Sequence, residues 1–304
     1  MSNNTIMNYL KAIFRKLVRF FVVVRFFFYK KPNVKDINET IDFILKNNCS
    51  VSRFGDGELR WMIGANPGYK FQQSDEELAE NLLRVLNSDI KNHIICIPNI
   101  FEKNRTLLES NRVAWDIHLI KYGKKWYSLL NNKKVYFDAN VTRFYIDYKN
   151  KKESGTFFNK INKIWRGREV VLIEGELTRF GVGNDLLDNA KNVYRILCPA
   201  ENAYTKYDEI FSTVLEITSM ISEAPIILIS LGPTATILSA DLAFLGFQSI
   251  DIGHLDLEYE WFLRKDLKRT KIENKYVNEI KDGANFDSNL VDNKYTSQIK
   301  KIIK

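Results

Sequence analysis

The chain has little of what marks a secreted, fibrous or unfolded protein. Its 304 residues include only three cysteines, six prolines and fourteen glycines. Cys49, Cys96 and Cys198 lie far apart, with no C-x-x-C spacing. That excludes a disulfide framework and a zinc ribbon. Each cysteine sits in or beside an apolar strand-like run, so the three read as buried free thiols of a reducing compartment. The low glycine and proline content excludes collagen-like and low-complexity architectures. No internal repeat is present. No uninterrupted apolar run reaches the ~20 residues of a membrane span. The longest apolar stretch is broken by Arg19 and Arg25, and no small-residue cleavage site follows it before Lys30-Lys31-Pro32, so it does not read as a signal peptide.

What is present is enough apolar material for a sizeable core. The chain is 45% hydrophobic and long enough for one large domain or two small ones. The net charge of +8 is unevenly placed. Residues 1–35 hold eight bases and no acid, giving +8. Residues 264–304 hold eleven bases and six acids, giving +5, and residues 36–263 come to −5. A duplex-binding domain carries its basic stripe on the folded body. This chain has its bases at the ends and no nucleic-acid motif, so nucleic acid is excluded as the expected partner.

The first segment reads as a helix with two characters. At 100° per residue, Lys11, Arg15, Lys16, Arg19 and Arg25 fall within about half the circumference. Leu17, Phe20, Phe21, Val24 and Phe28 fill the rest. Residues 9–29 therefore fit a helix lying in the inner membrane interface, with the protein cytoplasmic and peripherally attached. A helix docked on its own domain, or on another subunit of a homo-oligomer, has the same pattern.

From residue 36 the chain alternates. Helical patterns over 37–46, 58–63, 111–130, 157–165, 185–190, 203–221 and 234–245 separate short apolar strands at 49–54, 93–97, 134–138, 169–173, 193–197, 226–231 and 249–252. This predicts an α/β protein: a Rossmann-like open, mainly parallel sheet with helices on both faces. The expected organisation is a basic amphipathic helix at 1–35, a catalytic domain at 36–265 and a basic polar tail at 266–304. The core is expected to end near Trp261.

Ligands of such sheets sit beyond the carboxyl ends of the strands. The first strand runs into Arg53-Phe54-Gly55-Asp56-Gly57-Glu58. Two carboxylates one residue apart, with glycines beside them, suit Mg²⁺ or Mn²⁺ next to a diphosphate. A solvated turn could carry the same residues. A later strand ends in Arg179-Phe180-Gly181-Val182-Gly183-Asn184, which has the form of a phosphate-cradling turn into a helix. The same residues also suit an ordinary strand-to-helix turn capped by Asn184. Gly232, Thr234 and Thr236 form another glycine turn into a helix, able to hold a phosphate or ribose, or simply to start the helix at Pro233. The last strand leads into His254, Asp256, Glu258 and Glu260. If extended, the three acids share one side, with His254 and one of these carboxylates, Asp256 and Glu260 foremost, as general-base or phosphate-contact candidates.

Five segments together resemble one family. R-F-G-D-G-E-L at 53–59, G-E-L-T-R-F-G-V-G-N-D-L at 175–186, C-P-A-E-N-A-Y at 198–204, L-G-P-T-A-T at 231–236 and D-I-G-H-L-D-L-E-Y-E-W-F at 251–262 are similar, in order, to bacterial glycosyltransferases of the GT-D type. The resemblance covers roughly 36–265. It implies a nucleotide-sugar donor (a UDP-sugar such as UDP-glucose), a growing bacterial glycan on lipid or protein as acceptor, and metal assistance with Asp56 and Glu58 as the D-x-E pair. Two other readings stay open on the residues alone. One is a metal-dependent phosphatase or nucleotide-sugar hydrolase. The other is a non-catalytic nucleotide-sugar-binding subunit of a glycan assembly complex.

Overall fold

The strand Glu169–Gly175 reads E-V-V-L-I-E-G and is buried at every position, as a strand covered on both faces must be. A computed structural model describes residues 3–65, 71–101, 106–281, 283 and 292–304. Nine strands occur among them. In chain order they are β1 (Asn33–Val34), β2 (Ser50–Arg53), β3 (His93–Ile97), β4 (Val135–Asp138) and β5 (Glu169–Gly175). β6 (Asn192–Cys198), β7 (Ile226–Ser230), β8 (Gln248–Asp251) and β9 (Ile299–Ile302) follow. All pair in parallel, in the order β1-β4-β3-β2-β8-β7-β5-β6-β9. The Rossmann-like α/β expectation therefore holds.

The helices are α1 (Asn3–Arg25), α2 (Ile37–Asn47), α3 (Asp56–Met62), α4 (Glu76–Leu86) and α5 (Glu109–Leu129). They continue with α6 (Ser154–Ile161), α7 (Tyr207–Ser219), α8 (Pro233–Phe244), α9 (Leu255–Leu263) and α10 (Asn293–Gln298). Polar residues start them where the sequence places caps. Asp36 and Glu39 form a reciprocal capping box on α2. Asp75 accepts from the Leu78 amide, 2.9 Å away, on α4. Alternate strand residues divide the core. Ile94, Cys96, Val170 and Leu172 pack on one side of the sheet with residues of α2, α6 and α9. Ile95 and Ile97 pack on the other side with α4 and α5, and Val171 and Ile173 with α7 and α8.

The pairing of β2 with β8 joins the first four strands to the last five. α8 lies directly over this seam because small polar residues let it approach. The Ser52 hydroxyl donates to the Thr236 carbonyl (2.6 Å), and the Ser239 hydroxyl donates to the Val51 and Ser249 carbonyls (2.8 Å each).

Three expectations are corrected. Residues 185–190 form turns instead of a helix, because Asn184 Oδ1 takes the Leu186 amide and the Leu186 carbonyl takes the Trp165 indole. Residues 255–263 are helical, so Asp256, Glu258 and Glu260 are not one extended row. The core continues past Trp261: Ile272 and Val277 are buried in it, and β9 extends the sheet beside β6. Widely spaced apolar residues anchor this polar stretch. Residues 282 and 284–291 of the expected tail lie outside the described residues.

α1 docks on its own domain. Val18, Val22 and Phe26 are buried, and the Phe26 ring stacks on Tyr127 at 5.2 Å. Gly123 of α5 makes room for it, since a Cβ there would collide with the Phe26 ring. Arg15 pairs with Glu109 at 2.6 Å and Arg19 with the buried Asp116 at 2.7 Å. Among the described residues no helix is long and apolar enough to cross a membrane.

Candidate active site

A cleft of about 720 Å³ opens beyond the carboxyl ends of the strands, across the β2–β8 seam. Here the connections leaving β2 and β8 pass to opposite faces of the sheet, the usual ligand crevice of an open α/β sheet. Its floor is braced by Arg53. The guanidinium holds Asp251 through Nη2–Oδ1 (2.7 Å) and Nε–O (2.9 Å), and reaches the Ala139 carbonyl at 3.3 Å. One side chain thus ties the ends of β2, β8 and β4. Gly253 is required beside it: its φ is +43°, and a Cβ would collide with Arg53 Nη2.

Asp56 and Glu58 line the cleft from the first turn of α3. Glu58 Oε2 accepts from the Gly55 amide at 2.7 Å, which caps the helix and fixes the carboxyl. Burial pushes Glu58 up to about 7, with the nearby Asp251 and Asp56 charges adding to it. Asp56 Oδ2 pairs with Arg60 at 2.8 Å. Among the described residues no group of three or more His, Cys, Asp or Glu is disposed to hold a metal. Two carboxylates nevertheless suit an ion such as Mg²⁺, which keeps its other positions for water and phosphate oxygens.

His254 stands at the head of α9. Its Nδ1 lies 3.2 Å from Glu279 Oε1 and 3.3 Å from Arg143 Nη1. Arg143 Nη1 also binds Glu279 Oε1 at 2.6 Å. Arg269 joins the cluster through Glu279 Oε2 and through Asp147 at 2.7 and 2.9 Å. Burial alone would raise the Glu279 carboxyl, but Arg143, His254 and Arg269 hold it well below the usual carboxylate range. α8 and α9 both present their N-termini here, through Gly232-Pro233 and Gly253-His254. Such ends favour anions. Trp61, Phe71 and Trp115 supply apolar lining. His118 also lines the cleft. Its Nε2 accepts from the Trp126 indole at 3.0 Å, and burial lowers its pKa to about 4.

Of the residues singled out in the sequence, Arg53, Asp56, Glu58, Gly232, His254 and Asp256 line this cleft. The others do not. Gly181, Gly183 and Asn184 line a separate depression of about 350 Å³ with Arg195 and Tyr295. Arg179 lies over the Tyr295 ring at 5.2 Å. Thr234 and Thr236 are fully buried, and the Thr236 hydroxyl donates to the Arg53 carbonyl at 2.8 Å. Both hydroxyls therefore sit in the protein interior, away from the cleft.

Asp256 and Glu260 belong to a buried knot. Asp256 Oδ1 accepts from the Gly181 amide (2.9 Å) and Asn184 Nδ2 (2.8 Å), and its Oδ2 meets Lys275 at 2.6 Å. Glu260 Oε1 takes Asn184 at 2.7 Å and Lys275 at 3.1 Å. The G-x-G turn is thus held by Asp256 and faces it as a bonding partner. Glu258 is fully buried, its Oε2 accepting from the Tyr145 and Ile146 amides.

Sequence reasoning missed Arg143, Asp147, Arg269 and Glu279. Arg143 lies just after the β4 end, so strand-end position was the available signal. Arg269 and Glu279 sit in a polar stretch that carries none.

A crevice at the switch point of a parallel sheet, rimmed by carboxylates, arginines and helix N-termini, has the form of an α/β enzyme's ligand site. Comparison with known proteins gives the class and then the family. The description "Glycosyltransferase GT-D fold" matches residues 51–280. The chain is 33% identical over 270 residues to the glycosyltransferase GlyD of Streptococcus pneumoniae serotype 4, covering 88% of this chain and 32% of that protein. It is also 33% identical to the probable glycosyl transferase Gly of Streptococcus gordonii, covering 89% of this chain and 39% of that protein. The chain therefore spans about a third of the length of the curated relatives it matches. A solved structure of domain of unknown function 1792 superposes with a TM-score of 0.84 at 32% identity, covering 94% and 99% of the two chains. Another, described as having a distinct glycosyltransferase fold, gives 0.82 at 33% identity, covering 90% and 97%. The chain belongs to the GT-D-fold family of glycosyltransferases.

Proposed function

We propose that the cleft transfers a sugar from a nucleotide-sugar donor, with UDP-glucose as the candidate, to a hydroxyl of a growing bacterial glycan. The observation that carries this reading is the placement of Asp56 and Glu58 on the cleft wall, beside two helix N-termini that favour a diphosphate. Asp56 and Glu58 would hold Mn²⁺ or Mg²⁺. Such an ion supplies charge neutralisation at the departing diphosphate. The protein's own part is to position the diphosphate, keep Glu58 fixed through Gly55, and place a base at the acceptor.

His254 fits the base role. Glu279, held as a carboxylate, engages Nδ1 and leaves Nε2 for the acceptor hydroxyl. Nucleotide sugars are cytoplasmic, and we place the enzyme there, acting on a lipid- or protein-carried glycan.

UDP with Mn²⁺ is expected to raise the melting temperature more than UDP alone. A ligand at a hundredfold excess over Kd stabilises by about 2.7 kcal/mol. Protection that a chelator leaves unchanged would remove the metal from the reading. A shift only with another nucleotide would change the donor. Donor cleavage that does not depend on acceptor would favour a nucleotide-sugar hydrolase. His254→Gln is expected to lower turnover by about a hundredfold while leaving the nucleotide-induced shift in place. Loss of both together would put His254 in the donor site.

A further inference from the structure

α1 is fixed to the domain by one narrow stripe, and its opposite face is bare. Phe14, Leu17, Phe20, Phe21 and Val24 are exposed along it, and Phe28, just past its end, is 94% exposed. At 100° per residue this apolar stripe lies roughly 135° from the Val18-Val22-Phe26 stripe. Lys16 lies on one edge of it and Arg25 on the other, while Lys11 falls at the angle of Val18 and Val22. All three are exposed, as are Lys30 and Lys31. The two remaining bases of the helix, Arg15 and Arg19, face α5. The surface is therefore an apolar strip about 15 Å long from Phe14 to Val24, flanked by cations on both sides.

We propose that this face docks on an anionic lipid bilayer. The charge selects that occupant. Residues 1–35 contain no acid, so a second copy apposed through the same face would set like charges against each other along both edges. An anionic headgroup layer meets the cations, while the phenylalanines enter the acyl boundary.

The docking has a consequence for the cleft. α5 carries α1 through Glu109, Asp116 and Gly123 and lines the cleft with Asn111, Ala114, Trp115 and His118. These two stripes lie about 150° apart on α5. α1 and α5 thus stand between the bilayer and the cleft wall, a thickness of two helices or about 20 Å. The inference concerns where the protein sits and is independent of the reaction it runs.

Flotation of the full-length chain with vesicles tests it. Vesicles with about 30% phosphatidylglycerol are compared with pure phosphatidylcholine, at low and high salt. Binding is expected to be at least about tenfold stronger to the anionic vesicles and to weaken in high salt. The exposed triple variant Phe20→Ser, Phe21→Ser, Phe28→Ser is expected to lose about tenfold or more of that binding, with an unchanged melting temperature and nucleotide response. Lys11→Gln with Lys16→Gln and Arg25→Gln should remove the preference for anionic lipid. Equal flotation of parent and triple variant would overturn the proposal, as would no flotation of the parent. Self-association of the parent that the serines abolish would assign the face to a second copy and also overturn it.

Discussion

Asp56→Asn is expected to reduce sugar transfer by about a hundredfold or more, a loss of the size seen when one preorganised charge contact at a transition state is removed. Glu58→Gln is expected to do the same. Both substitutions keep the side chain's shape. In Glu58→Gln the new amide oxygen can still accept from the Gly55 amide, so α3 keeps its cap. Asp56→Asn weakens the ion pair with Arg60, but Asp56 is 40% exposed and such a pair contributes little to stability. What both variants lose is negative charge on the cleft wall, and with it, on the function proposed above, the hold on a divalent ion and its diphosphate. Initial rates of the purified variants, beside their melting curves, decide the matter. A folded variant with undiminished transfer would remove that residue from the site.

Lys275→Met is expected to have the largest effect on stability. The ammonium sits between Asp256 and Glu260 at 2.6 and 3.1 Å, with Lys275 and Asp256 both 3% exposed. Removing it leaves the buried Asp256 carboxylate and the partly buried Glu260 carboxylate without their shared cation. Breaking such a buried pair costs about 3–5 kcal/mol. For a chain of this size that corresponds to a melting temperature lower by roughly 10 °C. Adding Asp256→Asn to Lys275→Met should restore part of the loss, because one of the stranded charges is then gone. Thermal unfolding of the single and double variants reads this directly. A single variant as stable as the parent would mean the knot is not buried in solution. Transfer per folded molecule should change far less than in Asp56→Asn. This separates Asp256 from the general-base role that its sequence position suggested.

The sheet was legible because its signal is local. Ile94 to Ile97 and Val170 to Ile173 are short apolar runs bounded by polar turns, and each became a strand within a residue or two of expectation. The strand ends followed, and they placed Arg53, Asp56 and His254 on the cleft. Asp56 and Glu58 stood out because the two acids are neighbours in the chain, and both line the cleft. The Asp256 knot did not stand out, because its members come from residues 181, 184, 260 and 275. Strand-end position alone could not tell a carboxylate that faces the cleft from one that braces the turn beside it. The same limit hid Glu279, whose partners Arg143 and His254 are distant in sequence. Thr234 and Thr236 were misplaced for a different reason. Their hydroxyls looked available, but α8 lies close over β2, and the Thr236 hydroxyl is spent on the Arg53 carbonyl.

The brace across the seam also bears on how the molecule comes into being. Arg53 and Asp251 are 198 residues apart in the chain, and Ser50 finds the Phe247 carbonyl 197 residues away. Asp56 and Glu58 leave the ribosome well before β8, the strand that β2 pairs with. At synthesis rates of about 5–20 residues per second, tens of seconds can separate the two strands. Glu279, which orients His254, comes later still. A product cut short before residue 251 would lack the β8 end, and with it Asp251 and His254 of the cleft.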